Sequence, residues 1–146
     1  MSAALELGLE SRLELVSLAG AAVRAMCVAR GADATSAVAV ELSVVEIAAN
    51  VVEHAYAGRQ DGPIWIRLDF WPGRVVVEIA DLGEGIPASQ ISEAKLPAID
   101  VENVLDLPEG GFGLALVRML VDSFEVNREK GWNVLRFTRS LARALG

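Results

Sequence analysis

The sequence predicts a single α/β domain, on three observations. Two long stretches of helical periodicity come first, paired runs of β-branched residues follow, and one more helix and strand pair close the chain. At 146 residues the chain has the length of one ordinary domain and can bury a real core. With 53% hydrophobic and 23% charged residues it reads as globular rather than disordered. It contains no internal repeat or low-complexity segment, so residues 1–146 are read as one domain.

The elements follow in order. Residues 3–7 are expected to form a short edge strand. Residues 9–30 carry a helical pattern, with Leu13, Val16, Leu18, Ala22, Val23 and Met26 on the apolar face and Gly31 as the stop signal. A second helix is predicted over 34–57, N-capped by Asp33. Residues 58–63 read as a polar turn. Two β-like segments, 64–70 and 75–80, flank a Pro72-Gly73 hairpin turn. Residues 87–109 carry Pro87, Pro97 and Pro108 and mixed polarity, and read as a mobile loop with room for one short helix. A loop this long in a compact domain points to function. A helix is predicted over 111–122, then strands over 124–128 and 133–138 about a turn at Gly131, and a helical stub over 139–146.

Composition excludes several classes. The net charge of −7, from 13 basic and 20 acidic residues, argues against nucleic-acid binding, which needs clustered Lys and Arg. Cys27 is the only cysteine, so the chain has no intrachain disulfide and no cysteine-based zinc site, and its apolar surroundings predict a buried thiol. The N-terminus lacks the positive region of a signal peptide. Residues 36–52 come nearest to a membrane span, but Glu41, Glu46 and Asn50 interrupt them. A soluble cytoplasmic protein is expected.

Three motifs carry the chemistry. In the second helix, Glu46, Asn50 and His54 fall at i, i+4 and i+8 and form a narrow polar row beside a core face of Val44, Ile47, Ala48 and Val51. An acid beside a buried face is costly unless paired or wet. Alone, the row also fits a solvent edge with Glu46 and His54 exposed; together with the two glycine motifs, Glu46 and Asn50 are read as lining a site. A carboxamide oxygen suits Mg²⁺, and a carboxylate one turn away can take a proton from an attacking hydroxyl. His54, at the helix end, reads as a surface or capping residue.

The second motif, Asp81-Leu-Gly83-Glu-Gly85, leaves a predicted strand. Asp81 can accept a hydrogen bond from an exocyclic amine, and Gly83 and Gly85 let backbone pass close to a flat base. The same residues also make ordinary turn chemistry. The third motif, Gly110-Gly111-Phe112-Gly113-Leu114, leads directly into a helix, where bare N–H groups form a ready anion site. The Asp81–Gly85 motif lacks the Gly-Lys-Ser/Thr ending of a P-loop.

In this order, the three motifs resemble the ATP-binding superfamily of gyrase, Hsp90, histidine kinases and MutL. The Glu46-Ile-Ala-Ala-Asn50-Val-Val-Glu-His54-Ala-Tyr56 segment resembles that of the anti-sigma-factor serine kinases within it. The resemblance covers about residues 3 to 140. It implies an α/β (α+β) two-layer sandwich of the Bergerat type, with a mixed, mostly antiparallel sheet covered by helices on one face. It also implies ATP and Mg²⁺ as cofactors, with 87–110 as the ATP lid. Glu46 would be the general base, Asn50 the Mg²⁺ ligand and Asp81 the adenine partner, with Gly83, Gly85, Gly111, Gly113 and Leu114 shaping the pocket. Family members phosphorylate a serine on a small anti-anti-sigma protein, and many also hold a sigma factor, usually as homodimers. The competing reading is an ATP-binding module that sequesters a regulator without kinase turnover. Two departures stand out. Leu82 takes a position where relatives often carry Asn, and Trp132 follows Gly131 where Thr is common. Either Asn133 or Thr138 substitutes for that Thr, or the base is bound differently here.

Overall fold

Alternation along the strands sets one sheet with one buried face. Ile64, Ile66, Leu68 and Phe70 are buried, while Trp65, Arg67, Asp69 and Trp71 between them point to the other side. The computed structural model describes residues 3–84 and 113–142. It contains β1 (Ala3–Glu10), β2 (Pro63–Trp71), β3 (Arg74–Asp81), β4 (Ser123–Glu129) and β5 (Trp132–Ser140) in the spatial order β1-β2-β3-β5-β4. All neighbouring pairs are antiparallel. The described sheet is therefore wholly antiparallel rather than mixed, because each strand meets its neighbour through a hairpin or an antiparallel return.

Helices α1 (Leu13–Ala29), α2 (Ala34–Asn50) and α3 (Gly113–Leu120), with a π-helical turn at Val51–Ala55, complete the described elements. Val16, Val23 and Cys27 of α1, Val40, Val44 and Ile47 of α2, and Val117 of α3 form one core with the inner face of the sheet. A β-carbon on Gly20 would run into Val45 Cγ2, so Gly20 sets the close approach of α1 and α2. The predicted caps are present. The Asp33 carboxylate accepts from Ser36 N–H at 2.8 Å, and Gly31 leaves α1 at φ +91°. Gly73 (φ +75°) and the pair Lys130-Gly131 (φ +52° and +87°) supply the positive φ of the two hairpin turns.

Four of the differences from the sequence reading have their cause in particular contacts. First, β1 runs on to Glu10, because Leu9 and Glu10 pair with Ile64 and Pro63, so α1 starts at Leu13 rather than at 9. The buried Ser11 between them is not a helix cap; it donates to Arg59 O and accepts from Gly62 N–H at 3.0 Å. Second, α2 gives way at Val51 to a π-helical turn, Val51–Ala55, in which Tyr56 N–H donates to Val51 O at 2.9 Å. Third, α3 ends at Leu120, whose carbonyl accepts from Arg139 at 2.6 Å, while Asp122 N–H already donates to Thr138 O. Fourth, Arg139 and Ser140 belong to β5 rather than a helical stub, because they pair with Val75 and Arg74. Leu141 then donates to Gly73 O at 2.9 Å and Ala142 accepts from Asp33 N–H at 2.8 Å.

By length and mean hydropathy, 1.6, the helical stretch Ala34–Ala55 would suffice to cross a membrane, which the sequence reading had discounted. Here its apolar side is the centre of the core, with Val40, Val44, Ile47 and Ala48 fully buried. The expected lid, 87–110, and Gly85, Gly110, Gly111 and the end of the tail, 143–146, lie outside the described residues.

Candidate functional site

The last two turns of α2 carry the polar row at the shoulder of the core. Val44, Ile47, Ala48 and Val51 are buried, and Glu46 and Asn50 beside them are half-buried. His54 is exposed. The π-turn accounts for this difference, since its wider winding takes residue 54 out of the i, i+4 row running through Glu46 and Asn50.

Glu46 reaches the third motif. A β-carbon built on Gly113, the first residue of α3, would overlap Glu46 Oε2 and lie 3.2 Å from its Cδ. The helix is seated by Ala115 and Val117, both buried, and by Leu114 packed against the core. The acid of the first motif and the helix start of the third therefore touch.

The second motif forms the other end of the site. Asp81 closes β3 and is 5% exposed. Its Oδ1 accepts from Gly83 N–H and from Asn133 Nδ2, both at 2.9 Å, and Asn133 Nδ2 also donates to Gly83 O at 2.9 Å. Among the described residues Asp81 Oδ2 accepts no hydrogen bond. Asp81 and Asn133 are the polar members of an open cleft between the helix and strands β3, β4 and β5, with Ile47, Val51, Ile79 and Leu135 among its apolar walls. Ile47 and Val51 directly follow Glu46 and Asn50, so the end of α2 and the start of the π-turn serve both ends of the site.

Gly83 is required by packing. A β-carbon there would overlap Ala55 O, the end of the π-turn, and the same carbonyl accepts from Glu84 N–H at 3.0 Å. Tyr56, 3% exposed, bridges this end: its hydroxyl donates to Pro63 O at 2.6 Å and accepts from Leu82 N–H at 2.7 Å. Burial raises its pKa above the usual tyrosine value, with the Leu82 N–H pulling the other way. Sequence reasoning met Tyr56 only as the last letter of a motif; its hydroxyl is the clamp that aims the Asp81 loop.

Both departures noted in the sequence fall outside the cleft. The Leu82 side chain is 48% exposed, and only its N–H takes part. Trp132 is one residue from Asn133 in a strand and so faces the opposite side of the sheet. Of the two candidate substitutes, Asn133 pairs with Asp81 in the ladder, whereas Thr138 pairs with Val76 and its hydroxyl is 2.5 Å from Ser123 Oγ.

The donor set fits a purine nucleotide. A buried carboxylate with one free oxygen can take an exocyclic amine, and glycines stand where side chains would obstruct. It also fits Mg²⁺, which takes most of its ligands from phosphate and water and needs few from protein. Among the described residues no group of three or more His, Cys, Asp or Glu could hold a cation by itself.

The profile of the histidine kinase-like ATPase domain matches residues 9–139. The serine-protein kinase RsbW of Oceanobacillus iheyensis is 34% identical over 91 residues, 62% of this chain and 58% of that protein. RsbW of Staphylococcus epidermidis is 30% identical over 128 residues, 87% of this chain and 80% of that protein. The matched part spans about six-tenths of the length of several of these curated relatives, including RsbW of Bacillus subtilis at 59%. Among solved structures, the RsbU and RsbW domains of Rv1364c from Mycobacterium tuberculosis superpose with a TM-score of 0.68 at 20% identity, over 97% of this chain and 33% of that one. The mycobacterial sensor histidine kinase MprB superposes at 0.53 and 15% identity, over 96% of this chain and all of that one. At these identities the structural likeness speaks to the fold.

Proposed function

The chain belongs to the histidine kinase-like ATPase domain family, and from that premise we propose that it is an ATP- and Mg²⁺-dependent protein-serine kinase. Its substrate is a small anti-anti-sigma antagonist protein, phosphorylated on serine, and its second partner is a sigma factor that it holds as a homodimer in the cytoplasm. One observation carries the catalytic part: the Glu46 carboxylate lies against Gly113, where α3 begins. A helix start favours phosphate, and an acid held beside it is placed for the proton of a hydroxyl that attacks phosphorus.

In this reading Asp81 Oδ2 accepts from the base amine, and Asn50 offers its carboxamide oxygen to the metal. Bound Mg²⁺ supplies charge neutralisation on the phosphates. Glu46 takes the serine proton as the serine oxygen bonds to the γ-phosphorus and the bond to the ADP oxygen breaks. A half-buried acid is not needed to bind ATP alone, which favours turnover over a binding-only module.

The test is phosphoserine formation, by mass spectrometry, on a candidate antagonist protein mixed with the chain and Mg-ATP. Transfer that Glu46→Gln abolishes supports the kinase. Tight ATP binding with no transfer to any antagonist would leave the binding-only module as the better reading.

A further inference from the structure

We infer that Asn133 is the positioning residue that makes the cleft selective for a six-amino purine. The inference rests on the nucleotide reading above and deepens it.

Asn133 Nδ2 faces two oxygens, Asp81 Oδ1 and Gly83 O, each at 2.9 Å. An ionised carboxylate and a carbonyl only accept, so the nitrogen of the amide must face them, and both its hydrogens are engaged. Asp81 Oδ1 also takes Gly83 N–H at 2.9 Å, which leaves Oδ2 as the atom the carboxylate can offer to a ligand. Asn133 itself retains only its carbonyl oxygen, for which no partner exists among the described residues. The polar end of the cleft therefore offers acceptors and no side-chain donor from either residue.

Adenine carries a donor amine at its six-position, whereas guanine carries an acceptor oxygen there. A site of acceptors pairs with the first and opposes the second, and a buried acceptor left unpaired is the strong form of discrimination. Asn133 contributes by fixing the rotation of Asp81, so that Oδ2 rather than Oδ1 is presented. Other contacts hold the loop itself: Tyr56 Oη on Leu82 N–H at 2.7 Å and Ala55 O on Glu84 N–H at 3.0 Å. Changing Asn133 should therefore loosen the carboxylate without releasing the loop, which separates selectivity from folding.

The experiment is calorimetric binding of Mg-ATP, Mg-GTP, Mg-ITP and the N6,N6-dimethyl derivative of ATP. It uses the native chain, Asn133→Ala and Asn133→Ser, with the melting temperature of each nucleotide-free protein. Native protein should prefer ATP to ITP and to dimethyl-ATP. Asn133→Ala should weaken ATP about tenfold while leaving ITP unchanged, so the ATP-to-ITP ratio falls by the same factor. Asn133→Ser, which keeps one donor, should recover part of that ratio. Equal weakening of ATP, GTP and ITP by Asn133→Ala would make the residue merely structural and overturn the inference. So would equal affinity of the native protein for ATP and dimethyl-ATP, a result that needs no variant to fold. Binding of none of the nucleotides to the native chain would instead remove the nucleotide reading and this inference with it.

Discussion

The carboxylate of Glu46 fills the space that a β-carbon on Gly113 would need. Alanine there meets the end of a flexible side chain rather than backbone, so the helix can accept it only by moving the Glu46 carboxylate. Gly113→Ala should push Glu46 aside and lower phosphoryl transfer by about a hundredfold, the scale of a misplaced general base. Alanine is the better helix former, so the melting temperature should hold or fall only slightly. Single-turnover transfer rates beside thermal melts check this, and a variant that transfers phosphate at the native rate would detach Glu46 from the chemistry.

Asn50 lies one turn beyond Glu46 and is half-buried, with its carboxamide as its only ligating group. Asn50→Ala should leave metal-free ATP binding near the native level while abolishing the gain in affinity that Mg²⁺ provides. Asn50→Asp brings an anionic oxygen to the same place and should shift metal preference rather than remove it. ATP titrations with Mg²⁺ and with chelator decide the point: if the native protein binds ATP equally well in both, Asn50 is not the metal ligand.

Much of this arrangement was legible in the chain, for reasons that differ by element. Asp33, Gly31, Gly73 and Gly131 act through local backbone chemistry, so their roles could be read from a few neighbouring residues. Glu46 and Asn50 could be paired because a helix repeats regularly. The end of β1 could not be read, because Leu9 and Glu10 fit a helix until Ile64 and Pro63, more than fifty residues later, pair with them. The π-turn could not be read either: its last carbonyl, Ala55 O, meets Gly83 and Glu84, nearly thirty residues later. The choice of Asn133 over Thr138 needed the β3–β5 register, in which a shift of one residue exchanges the two faces of the sheet.

Gly83 and Ala55 give a second steric test, at the base end. Alanine at 83 would collide with the Ala55 carbonyl, which is backbone and cannot swing away. Gly83→Ala should cost about 1–3 kcal/mol of stability, as overpacking does, and should weaken ATP by displacing Asp81. Chemical denaturation and ATP titration measure the two effects. Native stability together with native ATP affinity in this variant would contradict the close approach.

Tyr56 ties the π-turn, the start of β2 and the Asp81 loop together through one hydroxyl, and that hydroxyl gives the fold an alkaline limit. Its pKa is raised from the ordinary 10.0, chiefly by burial. A raised pKa means the folded state holds the proton more tightly than the unfolded chain. The contribution is therefore complete below about pH 10 and is lost as pH rises through the folded value. Cys27, whose thiol burial pushes up to about 11, loses stability in the same direction, so native protein alone cannot separate the two. Tyr56→Phe can, because this is the only tyrosine in the chain. At neutral pH the variant should be less stable by about 1–3 kcal/mol, since Leu82 N–H and Pro63 O each lose a buried partner. Above pH 10.0 its stability should fall less steeply than that of the native protein, and the two curves should converge. Urea unfolding across this range, with tyrosinate absorbance followed in parallel, gives both measurements. Parallel curves for the two proteins would show that the hydroxyl titrates without coupling to the fold.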